Sequence, residues 1–449
     1  MHVRLTALAV CVAALCAALP AAAADLFLPA TSVPPGAAPP GSLPFAASGR
    51  LTLDDAFRHV DSAHPDLRLF GPRGDVLAAE LERSSLRPAY VAGATVENAF
   101  GTGEASGLSG AELTLTLASV LERGDKFDAR RALVRSRIDA LAIERETRRL
   151  DLLAEVARRY LAIVGAQQQA AIAQRDIDQR QRTVAAARQR HQAGASPESV
   201  VFTAQAALAR AELDRARAEQ QATAARQHLA AMWGEQMPVF EVAEVDALRL
   251  AEVADFATLA QWLERNPELA RFADERRIAE SRLQLARSEA TPDIDWQVGV
   301  RRLQATDDFG LIAGASIPLG ASARAQPGIR AAQAELAVLE IEREAAGLAL
   351  YSTLAEAHGR YRVAQLEVSR IGEDVLPRLA RAEAAAATAY RAGAASYLEW
   401  TSLQAERTSA LRQQLNAALD AQRALIEIQR LTGQAFLAGP APSTQGVTP

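Results

Sequence analysis

The chain has 449 residues, a formal net charge of −5 and only 5% aromatic residues, too few for a conventional large globular core. The acidic balance argues against nucleic acid as a partner, which would call for a basic face. Alanine, arginine, glutamine, glutamate and leucine dominate, the composition of long helices and coiled coils.

Met1 to Arg4 form a short positive start, and an apolar run follows from Leu5 to Leu19, then Pro20 and the small-residue stretch Ala21–Ala24 before Asp25. This order predicts a secretory signal peptide over residues 1–24, cut after Ala24, which sends the chain out of the cytoplasm. Both cysteines, Cys11 and Cys16, lie inside it. The mature chain is therefore expected to have no disulfide, thiol nucleophile or cysteine metal site. Val10 and Leu15 precede the two cysteines, where lipid acylation would want a small residue. Residues 25–50 are rich in proline and alanine and residues 438–449 are similar, which predicts extended or disordered chain at both ends. No later segment has the ~20 apolar residues of a membrane helix, so any crossing must use strands.

Self-similarity organises the rest. His64-Pro65-Asp66-Leu67 recurs as Asn266-Pro267-Glu268-Leu269, and Glu144-Arg145-Glu146 as Glu342-Arg343-Glu344. His191-Gln192-Ala193-Gly194 matches Tyr390-Arg391-Ala392-Gly393, Gln205 matches Gln404, and Trp233-Gly234 matches Thr432-Gly433. One unit is expected over 51–237 and a second over 256–437, joined by a connector at 238–255. In each, a short amphipathic helix comes first (Leu51 to Val60; Phe256 to Arg265). A second helix then ends before Pro88 or Pro292.

Two alternating segments follow in each unit. The first pair occupies about 89–121 (Ala89 to Phe100, Glu112 to Leu121), with Leu113, Leu115 and Leu117 on one face and Thr114 and Thr116 on the other. The second occupies about 293–319, where Ile294, Trp296, Val298 and Val300 alternate with Asp293, Asp295 and Gln297, and Leu311, Ala313, Ala315 and Ile317 share a face. A period of two makes these strands with one apolar and one polar side. A soluble sandwich shows the same alternation; lengths of about 9–11 residues suit tilted membrane strands. Gly101 to Ser109 and Gln304 to Asp308 read as exposed loops.

Each strand pair leads into a helical hairpin. The first is expected over about 125–233, as Asp125 to Gln192 and a return from Ser196-Pro197 to Trp233. The second is expected over about 328–432, as Gly328 to Ala392 and Ser396 to Leu431. Apolar spacings of three and four, as in Leu411, Leu415, Ala418, Ala421, Leu425 and Ile428, mark the seam. Helices of this length extend on the order of 100 Å. Four strands cannot close a barrel, since bacterial barrels begin at eight, and open edges in lipid cost several kcal/mol per unpaired group. Copies of the chain must then pool their strands. Two copies would give eight strands and three would give twelve, wide enough to conduct.

Leu53-Asp54-Asp55-Ala56-Phe57, leading to His64-Pro65-Asp66-Leu67, resembles the opening signature of the TolC family of outer-membrane efflux proteins. Tyr390-Arg391-Ala392-Gly393-Ala394-Ala395-Ser396-Tyr397-Leu398-Glu399 resembles their helix-tip pattern. The resemblance spans nearly the whole mature chain. It implies a mainly α fold with a transmembrane β part: a homotrimer that joins a twelve-stranded barrel in outer-membrane lipid to a periplasmic tunnel of helices. It also implies a periplasmic adaptor (membrane fusion) protein and an inner-membrane RND transporter as partners, with no cofactor and no catalysis. Leu121-Glu122-Arg123-Gly124-Asp125-Lys126 resembles the strand-to-helix junction of the CzcC-like, heavy-metal branch, as does Ser316 to Arg330 in the second half; this implies metal cations as cargo. Drug efflux and type I protein secretion are alternative uses of the same duct. A soluble periplasmic coiled-coil scaffold is the reading from another class.

Several residues are candidates for function. By the resemblance, the tips Gly194, Ala195, Ser196, Pro197 and Gly393, Ala394, Ala395, Ser396 would dock the adaptor. Tyr390 and Glu399 match gate positions, whereas Ala395 and Ser402 stand where the pattern has an arginine and a second acid. Leu113, Leu115, Leu117, Ile294, Trp296, Val298 and Val300 would face lipid. His59, His64, His191, His228 and His358 have no ligand spacing, so no metal site is expected. Catalytic motifs such as Gly-x-Ser-x-Gly, a phosphate loop or His-Glu-x-x-His are missing from the sequence.

Overall fold

The computed structural model describes residues 50–436. The expected signal peptide and the low-complexity segments over 25–49 and 438–449 lie outside the described residues.

Strand β1 (Arg50–Leu51) is followed by α1 (Leu53–Ala63), the single turn α2 (Pro65–Arg68), α3 (Phe70–Ser84), β2 (Val91–Glu97) and β3 (Glu112–Leu121). Helix α4 (Lys126–Gln192) and α5 (Glu198–Ala230) form the first hairpin, and β4 (Glu241–Val242) lies in the connector, parallel to β1. The second half has α6 (Phe256–Leu263), α7 (Pro267–Ser288), β5 (Ile294–Leu303), β6 (Asp308–Ser316), α8 (Ala321–Arg370), α9 (Leu376–Ala392) and α10 (Tyr397–Thr432).

The duplicated His/Asn-Pro-acid motif is a helix-start device. His64 Nδ1 accepts from the Asp66 N–H at 3.2 Å, and Asn266 Oδ1 from the Glu268 N–H at 2.7 Å. Proline follows each cap at the first helical position, where its missing N–H has no intrahelical partner to lose. A second duplicated device lies deeper. Tyr160 O–H donates to the Leu51 carbonyl at 3.3 Å, and Tyr361 O–H donates to the Ala251 carbonyl. Each long helix is thereby tied to chain that crosses it. The two largest apolar clusters gather at this level. One joins α1, α4 and the connector around Tyr160, Ile163 and Phe240; the other joins α6, α8 and α10 around Leu259, Leu354 and Ile428.

The four long strands make one antiparallel sheet in the order β2-β3-β5-β6. The first strand is shorter than the expected Ala89 to Phe100. It leaves the ladder at Asn98 and Phe100, whose φ values of 53° and 59° turn the backbone out of the extended region.

The second long helix also differs from expectation. It begins at Ala321, not near Gly328, and carries Pro327 inside it. Gly320, at φ 80°, supplies the left-handed start. Pro327 removes only the bond to the carbonyl of Ala323 in the first turn, and both residues are exposed, so water can replace it. The helix is then interrupted by a π-helical turn at Ile371–Val375, just before Pro377. Gln414 Nε2 donates to the Val368 carbonyl at 3.1 Å beside that turn, and a Cβ on Gly372 would lie 2.5 Å from the same nitrogen. Helix α4 runs unbroken through the corresponding stretch.

Candidate functional site

Strand register sorts the sheet into two chemically distinct faces. Across the four strands, the rows Ala92/Leu117/Val298/Ala313 and Ala94/Leu115/Val300/Leu311 are wholly apolar. The row Val96/Leu113/Arg302/Phe309 closes this band at the loop end, where the Arg302 guanidinium lies 5.5 Å from the Phe309 ring and bonds Asp307 at 2.7 Å. At the helix end, Tyr90 and Trp296 meet edge to face with ring centroids 6.2 Å apart. Leu113, Leu115, Leu117, Val298 and Val300 are exposed, and Ile294 and Trp296 are half-buried on the same face. An apolar band between aromatic residues is the pattern that the outer surface of a membrane barrel presents. A water-soluble scaffold would instead leave this contiguous apolar surface in solvent.

The opposite face is polar. Arg301 donates to Thr114 at 3.1 Å and to Glu112 at 2.8 Å, and pairs with Glu97 at 3.2 Å. Gly93, Thr116, Gly299 and Gln297 continue it towards the helices. Among the described residues no helix is long and apolar enough to cross a membrane.

The junction from strand to helix explains the motif at 121–126. Glu122 receives both terminal nitrogens of Arg130, at 2.6 and 2.7 Å, and this fork holds its carboxyl below the usual range. Asp293, at the foot of β5, accepts from the Arg123 N–H at 3.0 Å and pairs with Lys126 at 2.8 Å. Burial alone would raise the Asp293 pKa; the Lys126 and Arg123 donors outweigh it and lower it. Gly124 (φ 76°) and Asp125 (φ 59°) make the left-handed turn into α4. A Cβ on Gly124 would lie 2.5 Å from Thr291 Cβ and 3.0 Å from the Ser288 carbonyl oxygen. Arg123 and Lys126 thus tie the first unit to Asp293 of the second, while Glu122 braces the start of its own helix through Arg130.

At the far ends of the helices the two turns are built alike. Gly194 and Gly393 are left-handed (φ 75° and 82°), and the next N–H bonds back across the turn, Ala195 to Arg190 and Ala394 to Ala389, each at 2.8 Å. Ala195, Pro197, Ala394 and Ser396 are exposed, while Ser196 and Ala395 are half-buried. The two tips touch within one chain. Arg190 donates to the Tyr390 carbonyl and sets its guanidinium 4.7 Å from that ring. Tyr390 is only 2% exposed, its ring tilted against Trp400 with centroids 5.1 Å apart. Its hydroxyl, Trp400 Nε1 and Arg190 Nε have no partner among the described residues. Behind them Glu383 joins Gln179 to Arg407, and Thr183 and Gln404 bond at 3.2 Å. Glu399 is exposed in the first turn of α10, where Ser396 Oγ accepts its N–H at 3.1 Å. Sequence reasoning singles out Tyr390 and Glu399 as candidates but not Arg190 and Trp400, which pack on Tyr390; the only local hint is an arginine just before the first glycine turn.

A family model described as outer membrane efflux protein matches residues 77–235 and 258–434, one stretch in each half. The chain belongs to the outer membrane efflux protein family. Over 260 residues it is 28% identical to the cobalt-zinc-cadmium resistance protein CzcC of Cupriavidus metallidurans, covering 58% of this chain. The chain matches about three-fifths (61%) of that curated relative's length. Among solved structures it is similar to CusC, with a TM-score of 0.71 at 16% identity over 85% of this chain and 92% of that one. VceC from Vibrio cholerae gives 0.68 at 16% identity over 86% and 97%. At such identities these likenesses speak for the fold, which is that of TolC-like channels. Family membership gives this efflux protein its place, the outer membrane.

Proposed function

We propose that three copies of this chain form the exit duct of a tripartite efflux system for heavy-metal cations. The sheet carries this reading: one apolar face, one polar face, two open edges and direct continuation into helices of 67 and 50 residues. Strands alternating in direction can be joined edge to edge without limit, so three sheets close into a barrel whose polar face lines water. The helices extend the wall on the order of 100 Å into the periplasm. The duct is passive; an inner-membrane RND pump and a periplasmic adaptor, seated on the glycine turns at 194–197 and 393–396, supply cargo and energy. Metal as cargo rests on the similarity to a protein named for cobalt, zinc and cadmium resistance.

Loss of the gene should lower tolerance to these cations and raise cell-associated metal. Ala195→Glu with Ala394→Glu should reproduce that loss while heat-modifiable oligomers persist in the outer membrane. Full tolerance in the tip variant would reject docking there; intact metal tolerance with impaired export of organic solutes or a protein would reject metal as cargo.

The tip contacts support a gate in the second hairpin. Arg190 braces Tyr390 from the first hairpin, in place of the arginine missing at Ala395. Three copies of Glu399 around the axis would favour cations. Glu399→Gln should therefore lower the cation-to-anion permeability ratio in single-channel recordings; an unchanged ratio would exclude the ring.

A further inference from the structure

The apolar face of the sheet carries a single charged side chain. Among the paired strand residues of this face, from Leu121 and Ile294 at the helix end to Phe309 at the loop end, only Arg302 is ionised. Its neighbour in sequence, Arg301, lies on the polar face, and all three of its nitrogens meet an oxygen there, on Thr114, Glu112 and Glu97.

Arg302 is held quite differently. Its bond to Asp307 engages one nitrogen, Nη2, at 2.7 Å, and the two side chains are 45% and 77% exposed. An ion pair so open to solvent is weak. Phe309 shares the row, and its exposed ring lies 5.5 Å from the guanidinium. The fork therefore has donors to spare on a surface that is otherwise apolar.

Depth decides what those donors meet. Arg302 stands eight residues beyond Ile294 on β5, next to the strand's last residue. At about 3.4 Å per residue and a tilt of about 35–45°, this is about 20 Å along the membrane normal, close to the ~25 Å height of a barrel's apolar band. Arg302 is thus at the far margin of the band, where an arginine costs little and headgroups begin. The long helices leave the sheet from its other end, so this margin belongs to the outer leaflet.

We propose that Arg302, beside Phe309, binds the phosphate of an outer-leaflet lipid, one contact in each copy. This rests on the reading that the apolar face is in lipid, and adds the headgroup that the face selects. A planar guanidinium bonds a phosphate through two parallel N–H groups, which the single bond to Asp307 leaves possible. The ligand class is a phosphorylated glycolipid. Lipid A, the glycolipid of the outer leaflet, carries phosphate monoesters with more charge than the phosphodiester of a phospholipid. That charge lets it displace Asp307 from the fork.

Purified oligomer in dodecyl maltoside, mixed with lipid A and read by native mass spectrometry, should retain the lipid. Arg302→Gln should bind it about tenfold more weakly, as expected for one lost charge-assisted contact. Asp307→Asn, which removes the competing carboxylate, should bind it more tightly than the wild type. Lipid A stripped of its phosphates should bind the wild type and Arg302→Gln alike. Equal retention of intact lipid A by the wild type, Arg302→Gln and Asp307→Asn would overturn the contact and leave the lipid-facing sheet standing. Phosphatidylglycerol bound as tightly as lipid A, with the same loss in Arg302→Gln, would overturn the choice of glycolipid. A wild-type protein that retains neither lipid and stays soluble without detergent would overturn the lipid-facing sheet itself.

Discussion

Gly124→Ala is expected to leave little assembled protein in the outer membrane. The backbone there is left-handed, φ 76°, which costs about 1–2 kcal/mol for a residue with a side chain. The new methyl would also meet Thr291 Cβ at 2.5 Å and the Ser288 carbonyl oxygen at 3.0 Å. The carbonyl belongs to the end of α7 and cannot rotate away as a flexible side chain could. Overpacking of this kind adds about 1–3 kcal/mol. The strain falls where the Glu122–Arg130 and Asp293–Lys126 pairs hold the strands to the helices. Gly234→Ala is the control: its φ is 82°, but a Cβ there meets nothing within 4 Å. Thermal loss of the heat-modifiable oligomer should come much earlier for Gly124→Ala than for Gly234→Ala. Equal behaviour would mean that packing at the junction does not matter.

Val298→Arg and Gln297→Arg should differ sharply although the positions are adjacent. Val298 stands in the apolar row between Leu117 and Ala313, and Gln297 stands on the opposite face between Ala118 and Gly314. If the sheet is in lipid, an arginine near the bilayer midplane costs about 2–4 kcal/mol, incurred again in every copy. On the water side, the same side chain keeps its hydration. Val298→Arg should therefore abolish folded oligomer, whereas Gln297→Arg should assemble normally and change only conductance. The reverse ranking would put the apolar face inside a soluble sandwich and favour the periplasmic scaffold.

Much of this architecture is legible along the chain because its causes are local. Leu113, Leu115 and Leu117 announce a two-faced strand through a period of two, and the register then places all three in apolar rows. Gly194 and Gly393 announce turns because only a left-handed residue can end the long helices there. Where several local effects compete, the sequence is less legible: the helix expected from about Gly328 already begins at Ala321, after the left-handed Gly320, and takes Pro327 inside it.

Tyr390 shows the same limit at the candidate gate. The sequence pattern marks it for the tip; it cannot show that the ring is buried between Trp400 and Arg190, since Arg190 is 200 residues away. Glu383 bridging Gln179 and Arg407 was equally invisible. By itself the sequence determined the repeated unit, its strands, its caps and its glycine turns, all set by torsional preference and hydrophobic period over a few residues. Only the tertiary structure decided the strand order β2-β3-β5-β6, the π turn at 371–375 and the contact between the two tips. Those depend on which distant side chains fill the same space, and no local period encodes that.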